Sequence, residues 1–251
     1  MAQIESTAWP GDPDCPSCFG VGYYRYDVPV THPRFGKLYP CECRTAEITA
    51  VQTEKETHAR RFMLNASGLS EDEFKLSLGD IRDRGAGSRA MLEQGRLVLS
   101  EERYLVTVWG PPGNGKSHFL KCLTSEFLRR GGRAIYARMT DLLDYIRAGI
   151  KADDYSERVS QLRDVSFLAI DEPDEQKVSR TGWADEQMFA LIDSRYAKAK
   201  RRECVTVLAM NQNPSTLDQY LYDRLRYGEK YEHGIARIIH NTDPSARSSG
   251  I

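Results

Sequence analysis

The chain is 251 residues long, 40% hydrophobic and 28% charged, with a formal net charge of −1. That length supports one or two domains with a real core, and the near-neutral charge excludes a basic field over the whole molecule as the means of holding a polyanion. No apolar run approaches the ~18 residues of a membrane span, and the start Met1-Ala2-Gln3-Ile4 lacks a basic-then-apolar signal pattern, so the reading is a cytoplasmic protein without a membrane partner.

Residues 8–46 are rich in Pro, Gly and Tyr and poor in aliphatic side chains, and they carry Cys15-Pro16-Ser17-Cys18 followed by Cys41-Glu42-Cys43. Two thiolates two residues apart bite one face of a tetrahedral ion, so residues 1–46 read as a zinc module with Cys15, Cys18, Cys41 and Cys43 as ligands. A segment of about 40 residues rarely folds without such a staple, and structural zinc supplies about 10–16 kcal/mol. Cys-x-Cys is the less usual spacing, which leaves His32 as an alternative to Cys41 or Cys43. Four thiolates close the coordination sphere, so the metal is structural. Cys122 and Cys204 lie in apolar segments and are expected in the core. Residues 47–65 are polar with good helix formers and predict a linking helix; a second body then covers 66–251.

In that body Ser70 and Glu73 have capping-box spacing, a Gly-rich break follows at 85–87, and a helix runs through Met91, Leu92 and Leu97. Strands are predicted at 104–109, 133–137, 165–170, 204–210 and 235–239, with helices around Leu142 to Ile146 and Met188 to Tyr196. Near-continuous apolar strands alternating with helices imply an α/β fold whose parallel five-stranded sheet is covered on both faces.

Between the first of these strands and a helix lies Gly110-Pro111-Pro112-Gly113-Asn114-Gly115-Lys116-Ser117-His118. This is a phosphate-binding loop: glycines let successive N–H groups face one anion, Lys116 reaches the β- and γ-phosphates, and the Ser117 hydroxyl ligates Mg²⁺. A nucleoside triphosphate is the ligand this implies. The strand at 165–170 runs into Asp171-Glu172, at the strand end where ligands of open sheets sit. Asp171 would hold Mg²⁺ through water, and Glu172 would polarise an attacking water. Asn211, after the next strand, would orient that water or touch the γ-phosphate; Gln212 and Asn213 read as turn residues.

Taken in order, these segments resemble the DnaC/DnaI-type bacterial helicase loaders and the related IstB transposition ATPases, of the AAA+ P-loop class. The likeness runs from Gly110–Leu120 through Ala134–Arg138, Asp141–Leu143, Leu168–Glu172, Trp183 and Met188–Tyr196 to Tyr222–Gly228, and covers about residues 66–240. It implies an ATPase that places a replicative hexameric DNA helicase on DNA, binds single-stranded DNA and self-associates through ATP at subunit interfaces. It also implies that Arg224 is an arginine finger for a neighbouring subunit, with Arg226 as the alternative. The cysteine pattern resembles the helicase-engaging zinc domain of the DnaI branch, which IstB-type proteins lack. A transposition helper delivering target DNA to a transposase, and an ATP-binding adaptor without turnover, are the other readings. Ser117 stands where the family often has Thr, and Ala209-Met210-Asn211 where it favours Thr-Ser-Asn. With about a dozen residues after Ile239, the AAA+ helical lid is expected to be absent. Arg195–Arg202, with Tyr196 as a stacking partner, is the clearest basic run for the implied DNA contact.

Overall fold

The computed structural model describes residues 11–44, 66–174, 182–227 and 234–245. The linking helix expected over 47–65 and the Gly228 end of the resemblance lie outside these. The chain divides into two compact units, Met1–Phe62 and Met63–Ile251.

In the first unit, β1 (Tyr23–Tyr24) and β2 (Tyr39–Pro40) pair antiparallel. Two residues per strand bury too little to stand alone, so among the described residues the cysteines make what interior the unit has, with the Tyr24, Tyr26 and Tyr39 rings packed on one another at its partly exposed surface. Cys18 and Cys41 are its buried thiols.

The second unit contains, in order, α1 (Ala86–Leu99), β3 (Leu105–Trp109), α2 (Lys116–Arg129), β4 (Ala134–Arg138), α3 (Met139–Ala152), α4 (Tyr155–Asp164), β5 (Phe167–Asp171), α5 (Trp183–Lys200), β6 (Val205–Met210), α6 (Gln219–Leu225) and β7 (Ala236–His240). The strands form one sheet in the order β4-β5-β6-β3-β7, every pair parallel. Alternation along each strand feeds two cores. Val106, Val108, Ala169 and Val207 pack under Met91, Phe119, Leu120 and Leu123 of α1 and α2. Leu105, Leu168, Ile170 and Leu208 face α3 to α6 through Leu142, Ile146, Leu162, Leu191 and Leu221. This is the α/β sandwich that the apolar strands require. Among the described residues no helix is long and apolar enough to cross a membrane.

Three local expectations change. Ser70 and Glu73 do form a reciprocal box, at 2.9 and 3.3 Å, but it opens only a 3₁₀ turn, Glu73–Lys75, because Leu76 is already extended. The glycines at 85–87 do not break the chain; α1 begins at Ala86. Helix α4 has no counterpart in the sequence reading, since only Val159 and Leu162 are buried along it and so sparse a stripe carries no clear period.

Candidate nucleotide site and metal centre

β3 ends at Trp109 and the chain leaves the sheet at Gly110 with φ of 145°. A Cβ there would stand 2.0 Å from the carbonyl oxygen of Asn241, so only glycine fits. Gly115, at φ 96°, is the N-cap of α2, which puts Lys116 and Ser117 in the first turn at the positive end of that helix. Lys116 is buried; its Nζ donates to the carbonyls of Gly110 (2.7 Å) and Pro111 (2.9 Å) and to Oδ1 of Asn114 (3.2 Å). The ammonium thus lies across the loop that curls around it.

The parallel register brings the other predicted residues to the same sheet edge. Asp171 pairs with Ala209, and Met210 with Trp109, so Asp171-Glu172, Asn211 and Gly110 all leave the sheet at its carboxyl end. Asp171 is buried, and Tyr136 donates its hydroxyl to Oδ2 at 2.8 Å. Burial, and then the carboxylate beside it, push the Tyr136 phenol above its ordinary range. Glu172 adopts a left-handed backbone, φ 54°, held by its N–H donating to the Ala209 carbonyl at 2.9 Å. For a non-glycine that conformation costs about 1–2 kcal/mol. It directs the chain out of the sheet with Oε2 3.9 Å from Nε of Arg138.

Several residues at this edge escaped sequence reasoning. Asp174 Oδ2 accepts from the backbone N–H groups of Asn211 (2.8 Å) and Gln212 (2.6 Å), which ties the turns after β5 and β6 together. Asn114 and Asn241 exchange bonds: Asn114 Nδ2 donates to the Asn241 carbonyl at 2.7 Å, and Asn241 Nδ2 to the Asn114 carbonyl at 3.1 Å. Beside the loop a cavity of about 380 Å³ is lined by Ile81, Arg84, Met91, Asn114, Gly115 and His118. The signal for Asn241 was available, since it directly follows an apolar strand as Asp171 and Asn211 do. Residues 80–84 carried no pattern.

Arg224 contacts α5 and its own helix. Its Nε donates to Asp193 of α5, its Nη1 to the Tyr220 carbonyl at 2.9 Å, and its guanidinium packs near the Phe189 and Tyr196 rings. Of the basic run, Arg195 is buried and so is no part of a surface, whereas Lys200, Arg201 and Arg202 are exposed.

In the first unit the sulfurs of Cys15, Cys18, Cys41 and Cys43 all lie within 4.8 Å of one another. Cys15 and Cys41 are 3.6 Å apart, Cys18 and Cys43 3.5 Å. Sulfurs at about 2.3 Å from a tetrahedral zinc would be about 3.8 Å apart, so the cluster fits the ion and is far too open for disulfides. Backbone N–H groups of Ser17 and Cys18 already pull the Cys15 thiol down to about 7. His32 is not part of the cluster; it is exposed and its Nδ1 accepts from the Arg34 N–H at 3.2 Å. Cys122 and Cys204 are buried in the second unit, and burial pushes the Cys122 thiol up to about 12.

The family described as IstB-like ATP binding protein matches residues 50–225, more than half of the chain. The replicative helicase loader DnaC of Escherichia coli strain K12 is 23% identical over 188 residues, covering 72% of this chain and 76% of that protein. The chromosomal replication initiator protein DnaA of Streptococcus agalactiae serotype V is 26% identical over 120 residues; the match covers 47% of this chain and only a quarter of that protein's length. A crystal structure of DnaI superposes with a TM-score of 0.54 at 16% identity, over 71% of this chain and 94% of the other. Loop, sheet order and family match agree: the chain belongs to the IstB-like ATP-binding family and has the AAA+ P-loop fold, with a four-cysteine cluster ahead of it.

Proposed function

We propose that the protein is an ATP-dependent loader of a replicative DNA helicase. The observation that carries this reading is the union of two features in one chain: a triphosphate loop aligned with the Asp171-Glu172 edge, and a separate zinc-fitting Cys₄ unit. The relation to DnaC, a helicase loader, supplies the class of partner. The three units proposed are a zinc module over 1–46, a linker over 47–65 and the AAA+ domain over 66–251.

In this reading Gly110 to His118 cradle the phosphates, with Lys116 exchanging its loop carbonyls for the β- and γ-phosphates. The cavity beside Asn114 and Gly115 takes the nucleoside. The Ser117 hydroxyl and, through water, Asp171 would hold Mg²⁺, which would supply charge neutralisation on the phosphates. Glu172 accepts the proton of the attacking water and Asn211 orients that water. Arg224, already oriented by Asp193, serves the γ-phosphate of a neighbouring subunit, where such a finger is worth about 10³–10⁵ in rate. ATP binding then drives self-assembly and single-stranded DNA binding, and hydrolysis resets both.

The test mixes the purified full chain with the replicative hexameric helicase of its source, and separately with a transposase, with and without ATP. Retention of the helicase is expected, lost in Cys18→Ser, together with ATP-driven self-assembly lost in Lys116→Ala. Capture of the transposase and not the helicase would replace this reading with target-DNA delivery; capture of neither would end it.

A further inference from the structure

We propose that Tyr136 is the positioning residue of Asp171, fixing the plane of the carboxylate that would hold magnesium; this rests on the reading of Asp171 just given. Asp171 is 3% exposed, and no cation lies within ion-pair distance of it among the described residues. The one hydrogen bond to its carboxylate there comes from Tyr136, whose hydroxyl donates to Oδ2 at 2.8 Å. An aspartate's terminal torsion is broad and roughly two-fold, so a buried carboxylate held at neither oxygen has no preferred plane. One fixed oxygen sets that plane and leaves the other for a magnesium-bound water.

The topology explains how a tyrosine two residues back can do this. Register pairs Tyr136 with Ala169 and Arg138 with Asp171, so Tyr136 and Asp171 share a sheet face two positions apart. The tyrosine's length spans that offset. Its ring is itself held: Lys121 Nζ lies 5.1 Å from the ring centroid and donates to Glu73 Oε1 at 2.6 Å. Glu73 Oε2 in turn accepts the Ser70 N–H at 2.9 Å. Lys121 is four residues beyond Ser117 on α2, so the helix face that begins with Ser117 is the one turned to Tyr136. The hydroxyl that would ligate magnesium and the tyrosine that orients its carboxylate thus sit on facing elements.

Losing the partner that orients a metal ligand costs typically 10–100-fold in metal affinity. Tyr136→Phe keeps the ring and its packing and removes only the donor. The measurement is binding of a fluorescent, non-hydrolysable ATP analogue to the full chain, titrated with Mg²⁺ and repeated in EDTA. We expect the Mg²⁺ midpoint to rise about tenfold in Tyr136→Phe, with metal-free nucleotide affinity within about twofold of wild type. In hydrolysis at limiting Mg²⁺, kcat falls and KM for the Mg²⁺–nucleotide complex rises with it, because metal and nucleotide binding are linked, and kcat recovers at saturating Mg²⁺. Asp171→Asn separates the two ideas. If Asp171→Asn raises the midpoint and Tyr136→Phe does not, the tyrosine has no positioning role. If metal-free affinity falls as far as metal-dependent affinity in Tyr136→Phe, its role is structural and the proposal fails. If Asp171→Asn leaves the midpoint unmoved, the magnesium reading of Asp171 falls and takes this inference with it.

Discussion

Burying the guanidinium of Arg195 is tolerated because its donors meet oxygens on three segments. Nε donates to Thr206 Oγ1 at 2.8 Å, Nη1 to the Leu162 and Val165 carbonyls at 2.9 Å each, and Nη2 to the Val205 carbonyl at 2.6 Å. Burial pulls its pKa down to about 10, which still leaves it charged at neutral pH. One side chain therefore pins α5 to β6 and to the turn between α4 and β5. Arg195→Met fills similar volume but strands those acceptors, each worth about 1–3 kcal/mol when left unpaired. Relaxation recovers part of this, and a net loss of about 3 kcal/mol, or roughly 6–12 °C in Tm, is expected by thermal denaturation. The rest of the run is equally local in its contacts: Lys198 pairs with Asp164, Arg201 with Glu203, and Lys200 lies over the Tyr196 and Tyr227 rings. Within a string of basic letters at a helix end, Arg195 is thus a core residue, while Lys200, Arg201 and Arg202 stay exposed. Which of them turn inward depends on what the helix packs against.

The start of α1 shows how one element borrows its stability from another far along the chain. Gly85 has no side chain to cap the helix, and the cap is supplied by Asp243, after β7. Its Oδ1 accepts the Gly87 N–H at 3.0 Å and its Oδ2 the Ser88 N–H at 2.6 Å. Gly87 is needed for that approach, since a Cβ there would lie 2.1 Å from Asn241 Oδ1. Burial works against the Asp243 charge, but the Ser88 and Gly87 hydrogen bonds outweigh it and hold its carboxyl below the ordinary range. Because the folded pKa lies below the unfolded value of about 3.9, this stabilisation is complete above about pH 5 and is lost as pH falls through the folded pKa. Asp243→Asn should cost about 1 kcal/mol at neutral pH and flatten the acid limb. Urea unfolding from pH 7 to pH 3 checks both; an unchanged acid limb would mean that other carboxylates dominate it. The glycines at 85–87 were legible as a special backbone stretch, but not as a helix start, because the capping residue lies more than 150 positions away.

The two units should respond separately to loss of metal. Among its described residues the first has two-residue strands and few buried side chains, so the four thiolates should carry its fold, and chelation or Cys18→Ser should abolish its folded signals. The second has its own two-sided core and should keep its thermal transition within about 2 °C, a shift below 1 kcal/mol. One zinc per wild-type chain by elemental analysis, and none in Cys18→Ser, is the accompanying expectation.

What the sequence determined by itself was whatever is written in short-range spacing. The glycine loop, the cysteine pairs, five apolar strands and a carboxylate pair at a strand end are all local patterns, and the strands lie within two residues of where periodicity put them. Only the tertiary structure decided the order β4-β5-β6-β3-β7, which carries Asp171, Asn211 and Gly110 to one edge though they are far apart in the chain. It alone decided that Asn241 braces the loop, that Tyr136 holds Asp171, that Arg195 faces inward and that Asp193 holds Arg224. The reason is physical. Periodicity and motif chemistry report what a segment must bury or bind, whereas the partner it meets is chosen by packing between segments that no local pattern connects.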